Sequence, residues 1–180
     1  PESSSLLVMP TSGDLDVNYF SYGSEYTDEM ASPGYYSNKL TKYGIKTEVT
    51  ATTRTSAERF TFPAGKGNII LNLGQGLTNE CGAMVRRVSS TGVEGFKLLG
   101  TFCYTTQAVF PIYFAMRVSK APTSEGPWKF QPLLTGVEAE WTPDDGTYKL
   151  YENYYKEIAG DNIGYRFCYD DLAEGEQITV

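Results

Sequence analysis

Histidine is absent from the 180 residues of the chain. Ser-His-Asp and Cys-His nucleophile systems need an imidazole base, so neither can be built here, and zinc sites of the HExxH type are excluded with them. Cysteine is scarce. Cys81, Cys103 and Cys168 fit no zinc or redox spacing; three buried thiols is the expected state, with one disulfide plus a free thiol as the alternative. No run of about 18 apolar residues exists, so no helical membrane span is expected. No secretory signal is visible. Basic residues are outnumbered, 15 Lys and Arg against 22 Asp and Glu, which leaves a net charge of −7. Nucleic-acid backbones and anionic membrane surfaces select basic footprints, so neither is an expected partner, whereas a neutral ligand is compatible. No Asn-X-Ser/Thr acceptor occurs, which fits a bacterial product.

With a hydrophobic content of 41%, the chain can bury one sizeable core, and residues 1–180 read as a single domain. It opens at Pro1 and enters the apolar run Leu6-Leu7-Val8-Met9 almost at once. It closes on Ile178-Thr179-Val180, a strand-like sequence. The expectation is a truncated fragment, incomplete at both ends.

The dominant signal has period two, the signature of strands. Ile112, Phe114, Met116 and Val118 alternate with Tyr113, Ala115, Arg117 and Ser119; Ile163, Tyr165 and Phe167 alternate with Gly164, Arg166 and Cys168. Val49 and Ala51, Phe60 and Phe62, Ile69 to Leu73, and Val137 to Trp141 repeat the pattern. Ser32-Pro33-Gly34, Ala64-Gly65-Lys66-Gly67 and Pro143-Asp144-Asp145-Gly146 punctuate it with turn chemistry. Tyr148–Ile158, where Tyr151, Tyr154, Tyr155 and Ile158 share a helical spacing, is a helix candidate, although tyrosine-rich edge strands mimic the pattern. Ala121–Gly136, rich in proline and glycine around Trp128, reads as a long loop. Together these features predict an all-β, antiparallel β-sandwich.

Few residues carry chemistry. Glu25, Asp28 and Glu29 precede the Ser32-Pro33-Gly34 turn. An acid–base pair must share a face, and neighbours on a strand do not, so Asp28 and Glu29 are not such a pair; Glu25 and Glu29 can share a face, but acidic residues before a turn are expected to be solvated rather than catalytic. Asp144-Asp145-Gly146 and Asp170-Asp171 lack the oxygen spacing of a calcium loop and read as turns. Fourteen tyrosines and two tryptophans offer faces for stacking on sugars, but tyrosine is also a good strand residue. The oddest stretch is GVEGFKLLGTFCY, Gly92 to Tyr104. Three glycines in a hydrophobic strand pair imply bulges or a close backbone approach. Glu94, placed between Val93 and Gly95, is expected to be partly buried and paired with Arg86 or Arg87, or else to face another domain.

The stretches ASPGYY, TEVTATTRTSAERFTFP, GQGLTNECGAMVRRVSSTGVEGFKLLGTFCY and FPIYFAMRVSK, in this order, resemble the N-terminal domain of glycoside hydrolase family 92, the calcium-dependent α-mannosidases. The resemblance runs from about Val8 to Val180. It implies a large antiparallel β-sandwich of the galactose-mutarotase-like supersandwich type, packed on a C-terminal (α/α)6 catalytic domain absent from this chain. It implies an exo-acting, inverting parent enzyme that releases mannose, mostly from α-1,2 linkages of N-glycans or mannan, with a calcium ion held by the catalytic domain. It also implies a periplasmic, cell-surface or secreted bacterial protein. Where many members carry Phe-Ser-His, this chain has Tyr26-Thr27-Asp28, and the family's His-rich segment before Met9-Pro10 is missing. No catalytic residue therefore transfers. Glu94, Gly95, Phe102 and Cys103 are the candidates for a domain interface or cleft wall. Three roles follow: a non-catalytic scaffold and interface domain, an autonomous carbohydrate-binding module, or a structural sandwich without ligand.

Overall fold

A computed structural model describes residues 6–76, 80–100, 109–131, 147–151 and 156–180. Among the described residues there are fourteen strands and no helix. In chain order they are β1 (Leu7–Ser12), β2 (Tyr26–Ser32), β3 (Tyr35–Leu40), β4 (Ile45–Ala51), β5 (Ser56–Phe62), β6 (Gly65–Asn72) and β7 (Glu80–Ser89). β8 (Gly92–Leu99), β9 (Phe110–Arg117), β10 (Ser124–Gln131), β11 (Thr147–Leu150), β12 (Glu157–Gly160), β13 (Ile163–Leu172) and β14 (Glu176–Thr179) complete the set. They form three antiparallel sheets: sheet A in the order β1-β6-β13-β10-β11, sheet B as β14-β5-β4-β3-β2, and sheet C as β12-β7-β8-β9.

One face of sheet A packs on sheets B and C together. Ile69, Leu71, Tyr165 and Phe167 of sheet A meet Ile45, Phe60 and Phe62 of sheet B and Val85, Val93 and Met116 of sheet C in a single buried cluster. Each such side chain contributes about 1.5–3 kcal/mol by leaving water. The opposite face of sheet A is covered too. Ile70 and Trp128 lie beneath Val17 and Tyr22, from the segment between β1 and β2. That is why β6 carries a continuous apolar run, Ile69-Ile70-Leu71, instead of a clean alternation. Asn72 Nδ2 donates to the Tyr22 hydroxyl at 2.9 Å, and burial pushes that hydroxyl up to about 12.

The stretch Asn18–Leu40 is thus two structures. Its first part caps sheet A. Its second is a hairpin in which Ser32 pairs with Tyr35. Pro33 fixes the first turn residue, and Gly34 takes φ 79° at the second, a combination that a type II turn requires. A bulge corrects one expectation. Thr27 pairs with Lys39 and Met30 with Ser37, so Asp28 and Glu29 together oppose Asn38. Asp28 adopts φ 52°. Strict alternation fails at this point, and the opposite-face argument fails with it. Solvation holds: every residue of β2 is exposed.

Two other expectations are overturned. The supposed loop Ala121–Gly136 contains β10, an internal strand of sheet A. Its Gly126-Pro127 pair disguises it. Proline is tolerated because Pro127 lies at the end of the β11 ladder: its carbonyl still accepts the Tyr151 N–H at 2.9 Å, and only the return bond at that end is forgone. The supposed helix Tyr148–Ile158 is strand at both described ends, β11 and β12, with residues 152–155 outside the described part. Tyr148 and Ile158 belong to edge strands, as β11 and β12 each end a sheet. The expected strand Val137–Trp141 and the turn Pro143–Gly146 lie outside the described residues. At the Ala64–Gly67 turn the chain crosses from sheet B to sheet A, and Gly65 already belongs to β6. A Cβ on Gly67 would lie 2.5 Å from Leu172 Cδ1.

Sheet B carries a charged cluster on its outer side. Glu48 receives Arg59 Nε at 2.8 Å and Nη2 at 2.9 Å, and the Tyr35 hydroxyl at 2.7 Å. These bonds, Arg59 first, bring the Glu48 carboxyl down to about 2. A lowered carboxyl stabilises the fold above its ordinary value near 4.5 and loses that stabilisation as pH falls toward 2. Arg59 is half exposed, so solvent screens part of the effect; Glu48→Gln is expected to cost about 1–2 kcal/mol at pH 7. Urea unfolding at pH 7 and pH 3 checks this. The gap between wild type and variant should shrink in acid, and a gap independent of pH would show that the pair contributes nothing through charge.

Candidate docking face

Sheet C turns one face to the core and the other to solvent. Along β8, Val93 and Leu99 are buried, while Glu94, Phe96 and Leu98 alternate outward. The neighbouring outward side chains are Met84 and Arg86 on β7 and Tyr113 on β9, fixed by the pairs Met84–Phe96, Arg86–Glu94 and Phe96–Tyr113. Met84, Arg86, Glu94, Phe96 and Tyr113 line a shallow depression of about 410 Å³. Its floor is apolar. The Phe96 and Tyr113 rings sit 6.0 Å apart, and Tyr113 is 75% exposed. Val88, beyond Arg86 on β7, is also exposed. Apolar surface gathered in one place on a sandwich face marks a contact site more often than scattered exposure does.

Glu94 lies where the sequence put it, half-buried and paired with Arg86. Arg86 Nε donates to Glu94 Oε1 at 2.7 Å, and Nη2 donates to the same oxygen. The carboxylate holds the guanidinium above its ordinary range. Both partners remain partly exposed, so the pair adds little stability. It fixes a charged edge beside the rings. Gly95 shows the close approach that its type implied: a Cβ there would lie 2.0 Å from the Met84 carbonyl oxygen. Any other residue would push β7 and β8 apart beneath the depression. Phe102 and Cys103, the other two interface candidates, lie outside the described residues.

The remaining chemical candidates do not assemble into a reaction centre. Glu29 accepts the Tyr36 hydroxyl at 2.8 Å on the exposed hairpin. Asp170 and Asp171 sit at a register shift in β13, where the Asp170 N–H is held by Thr123 Oγ1. No group of three or more His, Cys, Asp or Glu able to hold a metal ion exists among the described residues. These residues therefore do not fit a calcium ion, and no step is assigned to one. Cys168 is a buried free thiol, pushed up by that burial.

Sequence reasoning missed two carboxylates. Glu125 is buried between the sheets, where it receives Arg87 Nε at 2.5 Å and the Tyr165 hydroxyl at 2.7 Å. Its segment had the composition of a loop, so no periodicity pointed to it. Glu58 faces a cavity of about 360 Å³ bounded by Leu6, Val8, Leu71, Phe114 and Met116, and burial pushes its carboxyl up to about 6. A raised carboxyl is the mark of a general acid, but glycoside hydrolysis needs a second carboxylate opposite, and no other acid lines this cavity.

Comparisons with known proteins agree with this geometry. The model of the glycosyl hydrolase family 92 N-terminal domain matches residues 1–180. No curated protein matches the sequence. Among solved structures, the chain is similar to a family GH92 α-mannosidase from Bacteroides thetaiotaomicron in complex with mannoimidazole, with a TM-score of 0.78 and 23% identity over 99% of this chain and 23% of that one. A GH92 inverting mannosidase from Bacteroides thetaiotaomicron VPI-5482 gives a TM-score of 0.71 at 18% identity, over 97% of this chain and 20% of that one. The GH92 family glycosyl hydrolase ccman5 gives 0.72 at 23% identity, over 97% of this chain and 23% of that one. The chain thus spans about a quarter or less of the length of these relatives, and shares their fold over nearly all of its own. With the family model matching every residue and an all-β sandwich of the same shape, this chain belongs to the glycosyl hydrolase family 92 N-terminal domain family.

Proposed function

We propose that the chain is the non-catalytic scaffold and interface domain of an exo-acting, inverting α-mannosidase that releases mannose from N-glycans or mannan. Its partner is a C-terminal (α/α)6 catalytic domain of the same protein, which supplies the acid, the base and the calcium site. The parent acts in the periplasm, at the cell surface or outside the cell. The observation that carries this reading is the apolar outer face of sheet C around Glu94, Gly95, Phe96 and Tyr113, on a chain that matches an N-terminal domain. Covering that face removes exposed aromatic surface from water, and the Arg86–Glu94 pair sets a polar rim beside it. The described residues supply no pair of facing carboxylates, so the chemistry is assigned to the partner domain.

The test compares this chain with the intact protein on α-1,2-mannobiose, with and without a chelator. Mannose release is expected from the intact protein alone, and chelation should stop it. Turnover by the 180-residue chain would overturn the reading. The exposed Tyr113 ring beside Phe96 also suits a sugar face, which favours an autonomous carbohydrate-binding module as the second reading. Titration of the chain with mannose oligosaccharides separates the two: a saturable shift at millimolar sugar, abolished by Tyr113→Ala, would replace the scaffold role with a binding one.

A further inference from the structure

Sheets B and C lie side by side over sheet A, and a strand-shaped gap separates them. One wall is β9, the edge of sheet C. The other is the first part of β5, beyond the end of its ladder with β14. That ladder pairs Glu176 with Phe62 and Thr179 with Arg59. It closes with Val180 and Glu58 exchanging both backbone bonds, at 2.7 and 3.0 Å. Ser56, two residues earlier on β5, presents its N–H and C=O toward the same side and has no partner strand there among the described residues. On the other wall, the Val118 N–H donates to the Thr91 carbonyl on the β8 side, and the Ser119 N–H turns away and donates to Thr179 at 2.8 Å. Alternation then directs the N–H groups of Arg117 and Ala115 into the gap. Both walls line the same cavity of about 360 Å³, whose floor is Val8 and Leu71 of sheet A with Leu6 just before β1.

The direction of the gap is set by the register. From the contact of Ser119 with Thr179, residue numbers fall along β9 and along β5 alike. The two walls are therefore parallel to each other, and a strand running between them away from that contact is antiparallel to both. β14 already has this direction and lies on the axis of the gap.

We propose that the gap takes one extended segment of the same polypeptide, collinear with β14, which joins sheets B and C into a single nine-stranded antiparallel sheet ordered β12-β7-β8-β9-β14-β5-β4-β3-β2. Inward side chains of that segment are apolar, because they land on Leu71, Val8 and Met116. One of them lies against Glu58 and completes the cover of its carboxyl. Two unpaired edges facing each other across an open core are a strong template for strand addition, and an intrachain strand reaches them at a high effective concentration. The inference rests on the reading that this chain is one domain of a longer protein, consistent with its covering 23% of the mannosidase from Bacteroides thetaiotaomicron.

Hydrogen exchange of the intact protein, read residue by residue by mass spectrometry with fragmentation, tests the proposal. The amides of Ser56, Ala115 and Arg117 are expected to exchange at least about 100-fold more slowly than those of the exposed edge strand β2, and to stay slow on dilution. Exchange as fast as β2 would overturn the proposal. Protection lost on dilution would mean that a second copy fills the gap, which also overturns it. Mannose release by the same preparation reports separately on the parent enzyme: an active protein with fast amides sinks the strand alone, and an intact protein of only 20 kDa sinks the reading on which it rests.

Discussion

Glu125→Ala is expected to destabilise the domain by about 2–4 kcal/mol, because it strips the acceptor from the buried Tyr165 hydroxyl and from the part-buried Arg87 guanidinium at once. Glu125 sits on β10 and is 5% exposed. Arg87 reaches it from β7 of sheet C, and Tyr165 from β13 of sheet A. The carboxylate thus ties the two layers together through the core. It raises the Arg87 guanidinium above its ordinary range, and burial with the neighbouring charge raises the Tyr165 hydroxyl strongly. Without Glu125, the buried Tyr165 phenol faces a cavity with nothing to accept its proton, and the part-exposed Arg87 guanidinium keeps only water. Glu125→Gln keeps the shape and one acceptor oxygen, so its cost is expected to be smaller, about 1.5–3 kcal/mol. The pair Arg87→Met with Glu125→Leu removes donor and acceptor together, and most of the loss should return. Urea unfolding of the three variants at constant m-value measures this. If the apolar pair is as unstable as Glu125→Ala, the cost comes from lost packing and not from stranded charge.

The network shows where the sequence stops being informative. Period-two patterns located β4, β5, β6, β9 and β13, because a sheet face in contact with a core must repeat every second residue. The missing histidine excluded imidazole chemistry without any structure. Glycine spacing at Gly92 and Gly95 pointed to a close approach, and Met84 supplies it. What stayed hidden depends on contacts across layers. β10 carries Gly126 and Pro127 in mid-strand, and its identity as a strand becomes visible only beside β13. Glu125 has no motif, since its partners lie 38 and 40 residues away in sequence. The bulge at Asp28 follows from pairing with β3, not from its own composition. Around Tyr148 the sequence mimics a helix because a short edge strand such as β11 has too few repeats of its period to be distinguished from one. The candidate docking face was legible in part. Glu94 and Gly95 were named from glycine density and the family resemblance, whereas Phe96 and Tyr113 were recognisable as a pair only once β8 and β9 were in register.

The second large effect concerns a glycine that the alternation of β13 placed but did not explain. Gly164→Ala is expected to cost about 3 kcal/mol or more, at the upper end of overpacking effects. Gly164 pairs with Asn72 on one side and Trp128 on the other. A Cβ there would lie 2.2 Å from the Leu71 carbonyl oxygen and 2.3 Å from Trp128 Cζ2. Neither neighbour has room to yield. Leu71 belongs to β6, which is paired on both edges and buried on both faces. Trp128 is 1% exposed, packed on Ile70 beneath Val17 and Tyr22 and edge-on to Tyr148 at 5.7 Å. The glycine is there so that the indole can lie flat on the sheet backbone. Trp128→Phe shortens the ring and removes one of the two collisions, but it also loses buried area, so alone it should destabilise by about 1–2 kcal/mol. Combined with Gly164→Ala, the two losses should fall short of their sum by about 1 kcal/mol or more, since the smaller ring accommodates part of the added methyl. The residual cost then belongs to the Leu71 carbonyl, which no side-chain change relieves. A Gly164→Ala variant within about 1 kcal/mol of wild type would show that β13 shifts freely against β6. It would remove the reason for glycine at the centre of the sheet.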